Sequence, residues 1–487
     1  MNYKEYIKEF NKNDTEYIKT EISNDSAEGW LESEIPKFEC SNKTIEKTYY
    51  FRWWTFRKHI KKTPEGYAVT EFLPKVPWSG IYNVINAPVG HHLMEGRWLK
   101  NAQLYLKDYI DIFFNHYETG MKYSTWLIYA AYKLNEIKGF LDKDFLEKAK
   151  AYYARWEEAH KTDSGLFWSK DNYDAMEYSI SGTFNDEHIP GIRPTLNSYM
   201  YADALAIYNF SKNFGEPLEI YLKKAQAIKS KMKELLFRDG FFRAIHPKDG
   251  NFKNLEKFDT GSVPRELIGF IPWYFNMYDE DFGIFELLED ENAFAVKEGL
   301  ATAERSSGKF LYEANHECLW NGYVWPFATA QTLTALLNVT KNSNGEKKEK
   351  YSDMFLRILD RYAAQHTRVC EDGREVMWID EVKSPYENVW TSRELLKQWG
   401  WPENKGGFER GKDYNHSSFC DIVISAFSGA ETKNGAVTFN PVIPDQIDYF
   451  KLDDLYILGD RYTVSYDKTG THYGKKGFFV LKNGKKI

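Results

Sequence analysis

The chain of 487 residues is long enough for one large domain, and its 43% hydrophobic and 28% charged residues are typical of a globular protein. Its formal net charge of −7 argues against nucleic acid or an anionic membrane as a partner. No window approaches the roughly 18 consecutive apolar residues of a membrane span.

The chain begins with MNYKEYIKEFNKNDTEY, which is charged and lacks the apolar stretch of a secretory signal. The four cysteines are far apart in the sequence and show no C-x-x-C pairing, a pattern typical of free thiols in a reducing compartment. We therefore expect a cytoplasmic protein.

From residue 42 onward, apolar residues recur at three- and four-residue spacing, clearly so in LEKAKAYYARWEEAHK and YSDMFLRILDRYAAQH. This periodicity predicts about twelve helices. They lie near 42–62, 91–117, 123–138, 143–161, 194–213, 216–236, 262–278, 283–302, 322–340, 347–368, 386–399 and 416–429.

Three of these helices are followed by an Asp-Gly or Asp-Ser-Gly turn, starting at Asp163, Asp239 and Asp372. Glycine supplies the positive φ that a helix exit or a hairpin needs. The spacing of the turns favours helical hairpins stacked in a ring with equivalent loops on one rim. Coincidence is the alternative, because Asp-Gly turns are common.

After about residue 431 the pattern changes to strands, in AVTFNPVIP, DLYILGDRYTVSYD and KKGFFVLKNGKKI. Asn483-Gly484 is a hairpin turn signal. Residues 431–487 are predicted to form a small antiparallel sheet packed on the helical body.

Several catalytic motifs are absent from the sequence: G-x-G-x-x-G after a strand, a phosphate loop, H-E-x-x-H and G-x-S-x-G. His91-His92 and His316-Glu317 have no partners at metal-ligand spacing. We therefore expect neither a metal nor an organic cofactor.

Carboxylates among aromatic residues remain as candidates for chemistry, first of all in DNYDAMEYSISG, residues 171–182. A glycosidase needs one carboxylic acid and one carboxylate, and an apolar neighbourhood keeps the acid protonated by raising its pKa. Asp174 and Glu177 have such a neighbourhood. The alternative is structural, with Asp171 capping a turn and Glu177 in solvent.

Two further segments combine polar and aromatic residues. In GGFERGKDYNHSSFCD, Glu409 follows two glycines and precedes Tyr414 and His416. In CLWNGYVWPFATAQ, an amide and two indoles stand at the start of a predicted helix and suit sugar hydroxyls and ring faces. These three residues are Trp320, Asn321 and Trp325.

On these motifs, residues 45–430 resemble the inverting glycoside hydrolases with an (α/α)6 barrel, the group of family 63 glucosidases, family 37 trehalases and mannosylglycerate-hydrolase-like proteins. AMEYSIS is similar to the acid-bearing stretch of family 63, which implies Glu177 as the acid. A trehalase-like register implies Asp174 instead. GGFERGKDYNHSS is similar to the base-bearing loop and implies Glu409 as the base.

Other stretches extend the resemblance. WNGYVWPFATAQ is similar to a W-N-G-P-x-W segment of these enzymes, with Tyr323 in place of proline, and RPTLNSYMYADALAIY is similar to the next helix, with Asn197 near the site. YNHSSFCDIVISAFSG and the C-terminal LDDLYILGDRYTVSYDKTGTHYG are more similar to a bacterial branch that includes the family 142 β-L-arabinofuranosidases. That branch weakens any expectation of a glucoside substrate.

The resemblance implies a mainly α fold, with an N-terminal segment at 1–40, an (α/α)6 catalytic barrel at 41–430 and a small β domain at 431–487. It implies exo action on a small carbohydrate with inversion and with carboxyl groups roughly 6.5–9.5 Å apart. The residues implied as substrate-binding are Trp53, Trp54, Arg57, Trp78, Arg193, Asn197, Trp320, Asn321, Trp325, Tyr414 and His416.

Two other functions fit the same scaffold. A sugar epimerase would use a histidine pair for proton abstraction, for which His91, His92 and His416 are candidates. A carbohydrate-binding protein without activity would bind a sugar but not turn it over.

Overall fold

A computed structural model describes residues 3–248, 252, 258–259, 263–433 and 435–487, and these residues form fifteen α-helices. The helices are α1 (Tyr3–Lys12), α2 (Ala27–Glu34), α3 (Lys43–His59), α4 (Val89–Gly96), α5 (Ala102–Asn115), α6 (Tyr117–Gly120), α7 (Leu127–Lys138), α8 (Lys143–His160), α9 (Pro194–Ser211), α10 (Glu219–Leu236), α11 (Ile271–Tyr274), α12 (Pro326–Asn342), α13 (Gly345–Ala364), α14 (Thr391–Gln398) and α15 (Cys420–Phe427).

Six helices form an inner ring, in which each contacts the next: α4, α7, α9, α11, α12 and α15, which returns to α4. Every residue of α4 is buried, and so are nearly all residues of α9, α12 and α15. A helix that is apolar or paired on all sides belongs in the centre of a large domain. This arrangement confirms the predicted (α/α)6 barrel.

The outer layer consists mainly of α3, α5, α8, α10 and α13. These helices show the one-sided apolar stripe on which the prediction was based, as in α8 and α13. Local signals fix their starts: the side chain of Asp142 accepts hydrogen bonds from the first turn of α8, and Asn42 does the same for α3.

The prediction of a helix near 283–302 is wrong. This region contains a 3-10 helix (Ile284–Leu288) and a short hairpin. The Asp290 carboxylate accepts a hydrogen bond from the backbone N–H of Asn292, and its carbonyl accepts from Ala293, so this side chain favours a turn over a helix. The outer element between α11 and α12 is therefore much reduced.

Two other predicted helices differ in extent. The segment 91–117 is divided into α4 and α5. Near 262–278, where residue 262 lies outside the described residues, the structure has a 3-10 helix (Leu267–Phe270) followed by α11. Pro272 stands in the first turn of α11, where its missing N–H is tolerated.

The strands are mostly short pairs between helices. They are β1 (Lys37–Cys40), β2 (Ile60–Thr63), β3 (Gly66–Val69), β4 (Trp168–Ser169), β5 (Thr183–Phe184), β6 (Glu187–His188), β7 (Gly191–Ile192), β8 (Phe237–Arg238), β9 (Phe241–Phe242), β10 (His246–Pro247), β11 (Phe258–Asp259), β12 (Ala295–Val296), β13 (Gly299–Leu300), β14 (Thr367–Val369), β15 (Glu375–Met377), β16 (Ala430–Lys433), β17 (Ala436–Phe439), β18 (Tyr449–Ile457), β19 (Asp460–Asp467), β20 (Gly477–Lys482) and β21 (Lys485–Lys486).

The three aspartate turns follow outer helices α8, α10 and α13. Gly165, Gly240 and Gly373 in these turns have φ of 84°, 73° and 80°, which is the conformation predicted for glycine there. Two of the turns join the two strands of a hairpin, β8 to β9 and β14 to β15. The turns are therefore repeated features of the barrel.

The C-terminal sheet has five antiparallel strands in the order β1-β18-β19-β20-β21. Its strands after residue 431 were predicted, and the Asn483-Gly484 turn joins β20 to β21 with positive φ at both residues. Strand β1 comes from the N-terminal segment and pairs Phe38 with Leu452. The first 40 residues thus complete the sheet as well as pack on the barrel.

The N-terminal segment is also fastened to the loop at 406–416. The Asp14 carboxylate lies 2.7 Å from Lys58 Nζ on α3 and 2.6 Å from Lys412 Nζ in that loop, and all three groups are buried. The Tyr17 hydroxyl donates to the backbone carbonyl of Glu409. No helix among the described residues is both long and apolar enough to cross a membrane.

Candidate active site

A cavity of about 430 Å³ opens at the end of the barrel where the inner helices begin. Ala87, Trp325 and His416 in its wall stand just before α4, α12 and α15. The remaining lining residues are Glu71, Phe72, Trp78, Ile85, Tyr123, Ala175, Glu177, His316, Glu317, Cys318, Trp320, Phe327, Glu381, Asn404, Lys405, Arg410 and Tyr414. Four carboxyl groups thus meet within an aromatic wall.

Glu177 is half-buried in this wall, in a stretch that forms irregular turns with positive φ at Ala175 and Tyr178. Its backbone carbonyl accepts a hydrogen bond from the N–H of Trp320, which ties the stretch to the start of α12. Burial raises the pKa of Glu177 to about 7, with a smaller contribution from the charge of Glu381. A proton is therefore available on this carboxyl near neutral pH.

Asp174, three residues earlier, is not among the lining residues. Its carboxylate accepts from Arg193 Nε at 2.8 Å and from the hydroxyls of Ser124 at 2.6 Å and Ser169 at 2.8 Å. Asp174 and Arg193 are both completely buried as side chains. This ion pair holds the turn in place, and the structure brings only Glu177 of the two to the cavity.

Glu381 is a second carboxyl group of the cavity, and its pKa is also strongly shifted. Arg410 donates to its Oε2 through Nε at 3.0 Å and also through Nη2. Its Oε1 has one partner among the described residues, the Cys318 thiol at 3.8 Å. Burial raises the pKa of Glu381 to about 7, although the Arg410 charge opposes this. The charge of Arg410 favours the carboxylate form of Glu381, and Oε1, which Arg410 does not contact, is the basic atom of the pair.

Glu317 lies on the other side of the same guanidinium group. Its Oε1 accepts from Arg410 Nη1 at 2.9 Å, and its Oε2 lies 2.9 Å from Lys405 Nζ. Burial disfavours its charge, but Arg410 and Lys405 outweigh burial and lower the pKa of Glu317 to about 2. Glu317 is therefore a permanent carboxylate.

Glu71 is the fourth carboxyl group. It accepts a hydrogen bond from the Tyr414 hydroxyl, and burial raises its pKa to about 8, with further contributions from Glu381 and Glu177. At neutral pH Glu71 is thus mostly protonated. Together with Tyr414 it forms an uncharged polar pair in the wall.

Aromatic side chains supply the apolar surface. Trp320 and Trp325 are stacked with ring centroids 4.4 Å apart, and Arg410 lies 5.1 Å from the ring centroid of Trp78. His416 is 3.6 Å from Tyr414, centroid to centroid. Neither ring nitrogen of His416 nor the Trp320 Nε1 has a hydrogen-bond partner among the described residues, and all three atoms are buried.

Glu409 does not line the cavity. Its carboxylate pairs with Arg393, while the neighbouring side chain of Arg410 points to the cavity. Glu409 has a φ of 53°, and a residue in this conformation changes the direction of the chain abruptly. The structure therefore places the predicted base outside the cavity, because the loop turns at this position.

Six other residues expected at the site lie elsewhere. Trp53 is in the core, Trp54 donates to Asn11, and Arg57 donates to Asn24. The other three act within the scaffold: Arg193 pairs with Asp174, Asn197 bonds both backbone groups of Phe167, and Asn321 donates to the carbonyl of Tyr312. Trp78, Trp320, Trp325, Tyr414 and His416 do line the cavity.

The sequence reasoning missed Glu71, Glu317, Glu381 and Arg410. Glu381 had a usable signal, because it follows Trp378-Ile379-Asp380 directly after the third aspartate turn, where a loop of the rim was expected. Arg410 adjoins the residue that was chosen. Glu71 and Glu317 carried no motif that distinguishes them from surface acids.

No group of three or more histidine, cysteine, aspartate or glutamate residues with metal-binding geometry occurs in the described part of the chain. His91 bonds Ser418, and His92 bonds Tyr109 and the carbonyl of Asn415. The four cysteines are free.

The chain is similar to several known proteins. Residues 81–417 match the family described as mannosylglycerate hydrolase MGH1-like glycoside hydrolase domain. A solved structure named "Sialidase" is 33% identical with a TM-score of 0.85, and the alignment covers 99% of this chain and 43% of that chain. A comparison with curated proteins gave no match.

Two α-L-rhamnosidase structures share the fold. The enzyme from Streptomyces avermitilis, complexed with L-rhamnose, has a TM-score of 0.53 at 10% identity over 93% of this chain and 38% of its own. The enzyme from Dictyoglumus thermophilum has a TM-score of 0.52 at 13% identity over 90% of this chain and 43% of its own. The chain thus spans less than half the length of the sialidase and of both rhamnosidases.

Proposed function

The chain belongs to the mannosylglycerate hydrolase MGH1-like glycoside hydrolase family, and we propose that it removes a terminal sugar from a small glycoside with inversion of the anomeric centre. Glu177 is the general acid and Glu381 is the general base. This replaces Glu409 as the base, since Glu409 pairs with Arg393 away from the cavity.

One observation carries the proposal: Glu177 and Glu381 line the same cavity in opposite electrostatic settings. Glu177 has no cationic partner among the described residues and retains a proton near neutral pH. Glu381 is bound twice by Arg410, whose charge favours the carboxylate form of Glu381. Such a division of roles between two carboxyl groups is what glycoside hydrolysis requires.

In the proposed reaction Glu177 donates its proton to the glycosidic oxygen as the bond to the anomeric carbon breaks. Glu381 Oε1 accepts a proton from a water molecule, whose oxygen attacks the anomeric carbon from the opposite face. The sugar leaves with inverted configuration, and the leaving group departs as an alcohol. Each proton transfer contributes about 10²–10⁴-fold to the rate.

The size and position of the cavity support exo action. A volume of about 430 Å³ is at the small end for ligand pockets, and it lies at one mouth of a closed helical ring. A terminal sugar fits this arrangement better than the middle of a long chain. An epimerase is less well supported, because His91 and His92 do not line the cavity and His416 stands there alone of the three.

The name of the 33% identical structure makes a sialic acid glycoside a second candidate substrate. The charges in the cavity do not favour it, because both lysine and arginine side chains in the wall are already paired with glutamates.

A screen of aryl glycosides tests the proposed function. We expect one or a few sugars to be released, and a proton NMR spectrum recorded before mutarotation to show the anomer opposite to that of the substrate. Release of the same anomer would contradict inversion. Conversion of a free sugar without bond cleavage would instead favour the epimerase.

The pH profile gives an independent prediction. We expect kcat/KM to be highest near neutral pH. Above about pH 7 Glu177 loses its proton, because its pKa is raised to about 7, and kcat/KM should fall about tenfold per pH unit. Below neutral pH Glu381 gains a proton and the base is lost. In Glu177→Gln the alkaline limb should disappear while the acidic limb remains; an unchanged alkaline limb in this variant would exclude Glu177.

A further inference from the structure

The charged groups of the cavity are balanced by one another. Its described wall contains two basic side chains, Lys405 and Arg410, and two acidic side chains that pair with them, Glu317 and Glu381. Arg410 contacts both carboxylates, and Lys405 Nζ lies 2.9 Å from Glu317. Both cations are thereby used within the protein, and neither is left to pair with a charge on a ligand.

The other titratable groups of the wall carry little charge near neutral pH. Burial lowers the pKa of His316 and brings that of His416 well below its usual value, so both imidazoles are neutral. Burial raises the pKa of Glu71 and Glu177, so these carboxyl groups are partly or mostly protonated. Behind Glu177, Asp171 and His188 form their own pair at 2.7 Å.

Aromatic side chains make up much of the remaining wall. Trp320 and Trp325 are stacked with ring centroids 4.4 Å apart and offer a flat apolar surface. The hydrogen-bonded pair of Glu71 and Tyr414 adds uncharged polar groups. Uncharged polar groups next to an aromatic surface suit the hydroxyl groups and the apolar face of a sugar.

A carboxylate on the sugar would meet the opposite conditions. It would lose its hydration on entering the cavity and would lie near Glu381 and Glu317 without a free cation. Placing like charges side by side at a binding site costs several kcal/mol, which is at least about a 100-fold loss of affinity.

We propose that the cavity is selective for an uncharged terminal sugar and that Glu317 sets this selectivity by occupying both cations of the wall. This inference rests on the proposed function, because it names the substrate class of the same site.

Matched pairs of sugars test the selectivity. The probes are glucose and glucuronate, galactose and galacturonate, and mannose and mannuronate, with L-arabinose and L-rhamnose as further neutral sugars and N-acetylneuraminate as a further anion. Binding is followed by titration calorimetry and by tryptophan fluorescence at pH 7. We expect at least one neutral sugar to bind and its charged partner to bind at least about 100-fold more weakly.

Glu317→Gln tests the role of this residue. The substitution leaves Lys405 and one N–H group of Arg410 without a carboxylate. We expect the preference for the neutral sugar over its uronate to fall by about tenfold or more. Glu431→Gln is the matched control, because Glu431 also pairs with a lysine, Lys341, but at the opposite mouth of the barrel. The Glu431→Gln variant should prefer the neutral sugar over its uronate as strongly as the wild type does.

Lys405→Met provides a second variant in case Glu317→Gln does not fold, since Lys405 is partly exposed. If Lys405 acts only as the partner of Glu317, we expect Lys405→Met to bind a uronate as weakly as the wild type does, or more weakly. Equal or tighter binding of a uronate or of N-acetylneuraminate by the wild type would overturn the inference, and so would a failure of all neutral sugars to bind. The proposed function is tested separately. If no glycoside in the screen is hydrolysed, the proposed function is overturned, while the selectivity is still decided by the titrations with free sugars.

Discussion

Glu381→Gln is expected to fold normally and to lose about 10²–10⁴-fold in kcat, because an amide cannot accept the proton of the attacking water. In an inverting mechanism no second group replaces the base. The amide retains the size of the carboxylate and can still accept a hydrogen bond from Arg410, so the wall keeps its shape. Turnover is measured on the aryl glycoside found in the screen, and folding is checked by circular dichroism and thermal unfolding.

Glu409→Gln is the matched control for this variant. It removes a carboxylate from the same region, but one that pairs with Arg393 outside the cavity. We expect most of the turnover to remain. A large loss in Glu409→Gln together with near wild-type activity in Glu381→Gln would return the base to Glu409.

Glu177→Gln is expected to lose activity selectively. On a natural glycoside, whose leaving alcohol needs a proton, the loss should be about 10²–10⁴-fold. On an aryl glycoside with an acidic phenol the loss should be much smaller, because that leaving group departs with little protonation. The measurement compares kcat on both substrate types in the variant and in the wild type.

Asp174→Asn is the control, since Asp174 is one turn away in the sequence but faces Arg193. It leaves a buried guanidinium group without its closest carboxylate, and breaking a buried ion pair costs up to about 3–5 kcal/mol. We therefore expect a lower midpoint of thermal unfolding and similar losses on both substrate types. A selective loss in Asp174→Asn, with none in Glu177→Gln, would make Asp174 the acid.

Much of the fold could be predicted because its signals are repeated and local. The outer helices, such as α8 and α13, have the 3.6-residue period, which indicates directly which face is buried. The region 283–302 could not be predicted in this way. Its apolar residues are spaced as in a helix, but Asp290 bonds the backbone of its own turn, and this competition depends on side-chain geometry.

The candidate site was less predictable because it is built from irregular loops. In a helix or strand the direction of a side chain follows from its position, whereas in a turn with positive φ neighbouring side chains diverge. This is why Glu409 and Arg410 face different environments, and why Asp174 and Glu177 do as well. Carboxylates among aromatic residues indicated two of the loops that line the cavity, those of Glu177 and Arg410, and only the backbone conformation decides which residue of each loop enters it.

The pairing of strand β1 with β18 also has a consequence for how the protein is made. Strand β1 leaves the ribosome about 400 residues before its partner β18, which is about 20–80 s at about 5–20 residues per second. During this time both edges of β1 lack a partner strand, and an unpaired strand edge is a template for wrong association. Newly made chains should therefore depend on a chaperone until β18 arrives, and a nascent chain arrested before residue 449 should be cleaved readily by protease near β1.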